Sequence, residues 1–375
     1  VKSPVNAREM HCLDCAPHGI AELPTTVVIC DTWVPDVLGD GYEQTTIPLG
    51  DDPDGEGQVE ATLVRYQPAD ARPAGRAVIY VHGYTDYFFQ QHLAEHFTEQ
   101  GFAFYALDLR KCGRSLRAGQ TPHFVTDLAI YDAELDEALA LVRADTGGGS
   151  VVLTAHSTGG LILPLWLDRR NRREGGTAAM GIDGVILNSP WFDLQGPAAM
   201  RTVGTTAIDV IGRVRAKAPV PGQGLDTYGL SLAKDHFGEW EYNLDWKPLA
   251  GFPVTFGWIR AIRQGHAALH RGLDIGVPSL ILRSKVTHFS RKYSSRVDVA
   301  DAVLDVRQIA RWAGCLGDRT TVVPIEGARH DVFLSQEIPR TRAFEEVDEW
   351  LGWLYRSAHI ERESGKDHNE TGTAR

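Results

Sequence analysis

Ser157 stands in Val151-Val152-Leu153-Thr154-Ala155-His156-Ser157-Thr158-Gly159-Gly160: an apolar run, a serine with a small residue two positions to either side, then the start of a helical pattern. A sharp strand-to-helix turn of this kind lifts a hydroxyl clear of a sheet and tolerates only small flanking side chains. Ala155 occupies the first flank, where glycine is usual. A nucleophilic hydroxyl needs a base, and His330 follows the apolar run Thr321–Ile325 and a turn containing Gly327. Of the fourteen histidines it alone sits between a terminal strand pattern and a C-terminal helix pattern, where a base that follows its nucleophile in chain order belongs. The carboxylate that would orient this imidazole and stabilise its charged form should lie after the run Ser279–Leu282 and before the helix starting near Val306. Asp298, Asp301 and Asp305 compete for that role. Asp305 has the spacing of a helix N-cap, with Gln308 three residues on, which suggests a structural job. Asp301 is the expected acid, because it leaves room for one helix and one strand before His330.

An oxyanion formed at Ser157 would need backbone donors. The apolar run Val78–Val81 ends in His82-Gly83-Tyr84, and the Tyr84 N–H is the expected first donor. The Thr158 N–H is the second, placed at a helix N-terminus whose dipole favours developing negative charge. His82 is read as a hydrogen-bonded loop residue, since it precedes the nucleophile in the chain.

These residues need a scaffold. Tyr42–Leu49 and Val59–Tyr66, separated by turn-rich Asp51-Asp52-Pro53-Asp54-Gly55, predict an opening hairpin. Short apolar runs at Ala77–Val81, Ala103–Leu107, Val151–Ala155, Val185–Asn188, Ser279–Leu282 and Thr321–Ile325 predict parallel strands buried on both faces. Apolar spacing of three and four predicts helices over Phe88–Gln100, Leu128–Arg143, Gly160–Arg170, Val306–Leu316 and Arg340–Tyr355. The alternation implies an α/β fold, a mostly parallel sheet with helices on both faces. The expected organisation is an N-terminal extension over 1–41, a core in two parts over 42–190 and 275–357, a cap over 191–274 and a flexible tail over 358–375. The cap segment holds Trp191, Trp240, Trp246 and Trp258, four of nine tryptophans. Trp191, Trp240 and Trp258 are candidate walls of an apolar substrate pocket, or else the small core of the cap itself.

Composition excludes other classes. A formal charge of −11, from 38 basic and 49 acidic residues, offers no basic stripe for nucleic acid. With 43% hydrophobic residues and no apolar run near the roughly 18 residues that span a bilayer, no transmembrane segment is expected. Five cysteines are an odd number and few, and residues 1–30 lack the apolar stretch of a secretory signal, so a cytoplasmic setting is expected. Cys12-Leu13-Asp14-Cys15, flanked by His11 and His18, could supply tetrahedral zinc ligands but has no second ligand pair at finger spacing, so no metal and no cofactor are expected.

His82-Gly83-Tyr84, Asp108-Leu109-Arg110-Lys111-Cys112-Gly113-Arg114-Ser115, Ala155-His156-Ser157-Thr158-Gly159 and Gly327-Ala328-Arg329-His330-Asp331 together resemble the monoacylglycerol-lipase or lysophospholipase-like branch of the α/β-hydrolase superfamily. The resemblance covers about residues 42–356. It implies the α/β-hydrolase fold, hydrolysis of a small-molecule ester through an acyl-serine, no cofactor, and a cap over the acyl pocket. The long basic loop from Arg283 to Val299 departs from the pattern by displacing the acid from its usual place just after the strand. Its charges read as a solvated face. The same triad serves acyltransferases, thioesterases and amidases or aminopeptidases, and a receptor can keep this fold without catalysis. Oligomeric state leaves no mark in the sequence.

Overall fold

A computed structural model describes residues 32–69, 74–195, 208–222 and 226–370, with side chains described as far as 356. The Cys12-x-x-Cys15 segment lies outside the described residues.

Nine strands form one sheet in the order β1-β2-β3-β5-β4-β6-β7-β8-β9. They are β1 (Val34–Pro35), β2 (Tyr42–Asp51), β3 (Gln58–Tyr66), β4 (Arg76–Val81), β5 (Ala103–Asp108), β6 (Ser150–His156), β7 (Ile182–Asn188), β8 (Ser279–Ser284) and β9 (Thr320–Ile325). The β2–β3 hairpin is antiparallel and β3 also pairs antiparallel with β5, whereas β5, β4, β6, β7, β8 and β9 run parallel. This is the α/β-hydrolase fold, as the alternation of apolar runs and helical patterns predicts.

The sheet is buried on both faces, so its central strands are mostly apolar. Along β4, Ala77, Ile79 and Val81 enter one core cluster and Val78 and Tyr80 enter the other, following the two-residue period of a strand. The first cluster is closed by α2 (Asp132–Asp145) and α3 (Gly159–Asn171), the second by α1 (Gln91–Glu99) and the long C-terminal helix α8 (Glu337–Glu370). Helix α8 runs past residue 357, where the sequence pattern turns polar.

Between β7 and β8 the chain leaves the sheet. The short α4 (Gly176–Ala179) precedes β7, and the excursion after β7 carries helical residues 208–214, α5 (Asp226–Leu232) and α6 (Phe256–Leu269). Helix α6 buries Trp258, Ile259, Ala261, Ile262 and Leu269 in the same cluster as α2 and α3. The aromatic-rich segment is therefore continuous with the main core along one of its helices.

Strand order reverses at β4, with β5 on one side and β6 on the other. The carboxyl ends of strands at such a switch point form a crevice where α/β sheets bind ligands. His82-Gly83-Tyr84 and Ser157 stand there.

Candidate active site

The turn from β6 into α3 holds Ser157 at φ 52, in the left-handed region that an L-residue rarely occupies. Its N–H donates to the Asn188 carbonyl at 2.9 Å, and its own carbonyl accepts from Trp191 N–H at 3.0 Å and Gly160 N–H at 3.0 Å. Close backbone approach explains two glycines. A Cβ on Gly83 would lie 3.0 Å from the Ser157 Cβ, and one on Gly159 would lie 2.5 Å from the His82 carbonyl oxygen. Ala155, fully buried within β6, takes the first flank without disturbing its pairing to Val81 and Leu187.

His330 Nε2 lies 3.0 Å from Ser157 Oγ, and His330 Nδ1 lies 2.9 Å from Asp301 Oδ2. With Nδ1–H donating to the carboxylate, Nε2 is left to accept from the serine hydroxyl. Asp301 is fully buried, and its Oδ1 accepts from the N–H groups of Val303 (2.8 Å) and Leu304 (2.7 Å). Those bonds fix the carboxylate before any imidazole meets it.

The basic loop becomes intelligible here. It leaves β8, and the chain returns to pair Thr287 with Asp301, Asp301 N–H donating to Val286 O and His288 N–H to Asp301 O. The intervening residues form an excursion that closes on itself, so Asp301 reaches the end of β8 despite its distance along the chain. The other two aspartates have separate partners. Asp298 accepts from Arg329 at 3.1 Å and from Tyr293 Oη at 2.7 Å. Asp305 caps α7 (Val306–Trp312), accepting from Arg307 N–H at 3.1 Å. Replacing Asp305 by alanine is accordingly expected to cost about 1 kcal/mol of stability, seen as a lower melting temperature with turnover unchanged.

Tyr84 and Thr158 line a void of about 10 Å³ beside the nucleophile, room for one water at most, shared with His82, Gly83, His123 and Trp258. Among the described residues, neither the Tyr84 N–H nor the Thr158 N–H donates to a backbone carbonyl. His82 is committed to structure: its Nε2 accepts from Leu109 N–H at 3.1 Å and its Nδ1 lies 2.7 Å from Gly83 O. The three tryptophans separate. Trp258 lines the cavity and packs against Tyr84 with ring centroids 4.0 Å apart, and Trp191 packs behind it at 5.8 Å. Trp240 is elsewhere, stacked on His92 at 4.6 Å and donating to the Leu334 carbonyl at 2.9 Å. A larger cavity of about 460 Å³, lined by Asp183, Asp274, Asp318 and Arg319, lies at the opposite ends of the strands, away from Ser157.

A buried network that sequence reasoning missed surrounds this site. His156 Nδ1 lies 3.1 Å from Asp86 Oδ2, and Lys247 from the excursion donates to Asp86 Oδ1 at 2.7 Å. Burial alone would raise the Asp86 pKa, but Lys247 and His156 hold it well below the usual carboxylate range. The same stretch of the excursion grips the loop after Gly83 at further points: Phe252 N–H donates to Thr85 Oγ1 at 3.0 Å, Tyr84 Oη to Pro253 O at 2.9 Å and Asn243 N–H to Tyr87 Oη at 2.7 Å. Lys247 had no sequence signal, because one lysine in a mixed polar and aromatic stretch looks like any surface lysine. Lys247→Met should destabilise the protein by roughly 3–5 kcal/mol, since it leaves the Asp86 charge buried without its cation. Urea unfolding measures this, and Lys247→Arg should recover much of the loss.

A family model described as serine aminopeptidase, S33, matches residues 72–337. Among solved structures, the chain is similar to a soluble variant of monoglyceride lipase from Saccharomyces cerevisiae in complex with a substrate analog, with a TM-score of 0.57 and 18% identity, covering 90% of this chain and 99% of that one. It is also similar to a monoacylglycerol lipase from Paleococcus ferrophilus, at a TM-score of 0.53 and 19% identity over 84% of this chain and 99% of that one. A thermostable carboxyl esterase from Bacillus coagulans, in complex with glycerol, gives 0.56 and 13% over 83% and 98%. At these identities the likeness is one of fold. No curated protein matches the chain in sequence. No described helix is long and apolar enough to cross a membrane.

Proposed function

The chain belongs to the serine aminopeptidase S33 family of α/β-hydrolases, and from that premise we propose that it hydrolyses carboxylic esters of small molecules through a covalent acyl-Ser157 intermediate. The observation that carries this reading is the unbroken path from Ser157 Oγ through His330 to Asp301, at 3.0 and 2.9 Å. In the first half-reaction His330 Nε2 takes the hydroxyl proton as Ser157 Oγ bonds to the ester carbonyl carbon. The N–H groups of Tyr84 and Thr158 hold the resulting oxyanion. The carbon–oxygen bond to the alcohol then breaks, and the alcohol leaves with the proton from His330. In the second half-reaction His330 removes a proton from water, whose oxygen bonds to the acyl carbon. The acid departs, and Ser157 regains its proton. Asp301 keeps Nδ1 protonated throughout and offsets the charge of the imidazolium.

Esters are favoured over the N-terminal amides that the family description names. Two monoacylglycerol lipases and a carboxyl esterase are among the solved structures to which the chain is similar, which supports the ester reading. Intact-mass labelling with a fluorophosphonate, followed by turnover of matched ester and aminoacyl amide panels, tests the proposal. One phosphonyl adduct on Ser157 with faster ester turnover supports it. Labelling with cleavage of aminoacyl amides alone would replace esters with amides.

A further inference from the structure

Asn188 is the last residue of β7, buried, and paired across the ladder with His156 at the end of β6. Its main-chain carbonyl accepts from the Ser157 N–H at 2.9 Å. Its side chain serves the other half of the site. Nδ2 donates to Asp331 Oδ1 at 2.6 Å and Oδ1 accepts from the Val332 N–H at 3.1 Å. A carboxylate on one side and an amide N–H on the other fix which end of the Asn188 amide is which. Asp331 and Val332 are the two residues that follow His330. Apart from His330 itself, Asn188 is the one residue, among the described residues, that hydrogen-bonds both to Ser157 and to the turn carrying the base.

That turn is held together from within. Asp331 Oδ1 also accepts from the Phe333 N–H at 3.0 Å, and Asp331 Oδ2 accepts from Gln90 Nε2 at 3.3 Å. Two further bonds reach the turn from elsewhere, Ser284 Oγ to the Ala328 carbonyl at 2.7 Å and the Asp331 N–H to Tyr228 Oη at 3.2 Å, but neither Ser284 nor Tyr228 bonds to Ser157. The spacing between elbow and base turn is therefore carried by Asn188, from its main chain on one side and its side chain on the other.

An amide is suited to this place. It can donate to a carboxylate and accept from an N–H at once, whereas a carboxylate at the same position could not donate and an apolar side chain of similar size could do neither. The spacing matters because proton transfer between Ser157 Oγ and His330 Nε2 runs over a single contact of 3.0 Å, and a displacement of about 1 Å in such a pair can cost about 10²-fold in rate. Resting on the acyl-Ser157 reading, we propose that Asn188 is a positioning residue that sets the distance from Ser157 to His330, so that its side chain governs the rate of nucleophilic attack and not the affinity for substrate.

The test reads three quantities: the rate constant for phosphonylation of Ser157 by a fluorophosphonate, kcat and KM on a nitrophenyl ester, and the melting temperature. Asn188→Ala keeps the main-chain bond to Ser157 and removes both side-chain bonds. The phosphonylation rate constant and kcat should each fall by about tenfold to a hundredfold, with KM within about threefold of its original value. Asn188→Asp sets a second carboxylate against Asp331 and should fall at least as far. The double variant Asn188→Asp/Asp331→Asn exchanges donor and acceptor and should recover at least about tenfold of that loss. A merely structural role predicts otherwise: like Asp305→Ala, the substitution would lower the melting temperature and leave the rate constant of the folded protein where it was. A rate constant within about threefold of the unmodified one in folded Asn188→Ala overturns the proposal, and so does a double variant no faster than Asn188→Asp. Should Asn188→Ala not fold, the comparison of Asn188→Asp with the double variant decides alone. An unmodified protein that forms no adduct on Ser157 would overturn the hydrolase reading, and this proposal with it.

Discussion

Replacing Ser157 by alanine is expected to lower ester turnover by roughly 10⁴–10⁶-fold while the protein stays folded. Both halves of this expectation come from the elbow. On the proposed mechanism the chemistry loses the hydroxyl that would hold the acyl group, leaving substrate binding and the Tyr84 and Thr158 N–H groups to act on a water. Structure loses little, because among the described residues the hydroxyl makes one hydrogen bond, with His330 Nε2 at 3.0 Å, and the bonds that hold the turn are made by the Ser157 backbone. Alanine at φ 52 is strained about as serine is. Intact-mass labelling with a fluorophosphonate is the clean measurement, since it reads the covalent step without depending on the substrate. An adduct that persists in the folded variant at the unmodified rate would remove Ser157 from the mechanism.

What the sequence displayed well was whatever the sheet imposes on consecutive residues. Strands β4 and β6 are buried on both faces and so are mostly apolar, and the elbow region must be small-residue-rich because Gly83 sits against the Ser157 Cβ and the His156 carbonyl and Gly159 against the His82 carbonyl. The position of His330 was legible for the same reason, as the turn after a terminal strand. Contacts made across the fold left no such trace. Asp86 and Lys247 lie 161 residues apart, and their pairing depends on how the excursion after β7 settles on the loop after β4. His123 is one of fourteen histidines, in a loop without periodicity, and only the fold brings it into the wall of the void shared with Tyr84 and Thr158. The tryptophans show the same limit. Enrichment over 191–274 signals burial, but whether a ring faces a cavity, as Trp258 does, or stacks on a helix, as Trp240 does on His92, is decided by packing.

Asp301→Asn is expected to lower turnover by about 10⁴-fold with the fold retained, and it separates the three neighbouring aspartates by what each one touches. An amide at 301 can still accept from Val303 and Leu304 N–H groups through its oxygen, so the turn that carries the side chain should survive. That choice directs its NH₂ at His330. The ring nitrogen facing position 301 must then accept rather than donate, which places the ring proton on Nε2, where it opposes the serine hydroxyl. The variant also lacks the negative charge that offsets the imidazolium in both half-reactions. Asp298 and Asp305 should respond differently. Asp298→Asn loosens the Arg329 side chain next to His330 and should change turnover modestly, because the imidazole keeps its own partner. Asp305→Ala should register in melting temperature and hardly in rate. Measuring kcat and melting temperature together on all three variants distinguishes these cases. Near-normal kcat in a folded Asp301→Asn, with collapse in Asp298→Asn, would transfer the acid to Asp298 and require His330 to turn toward it.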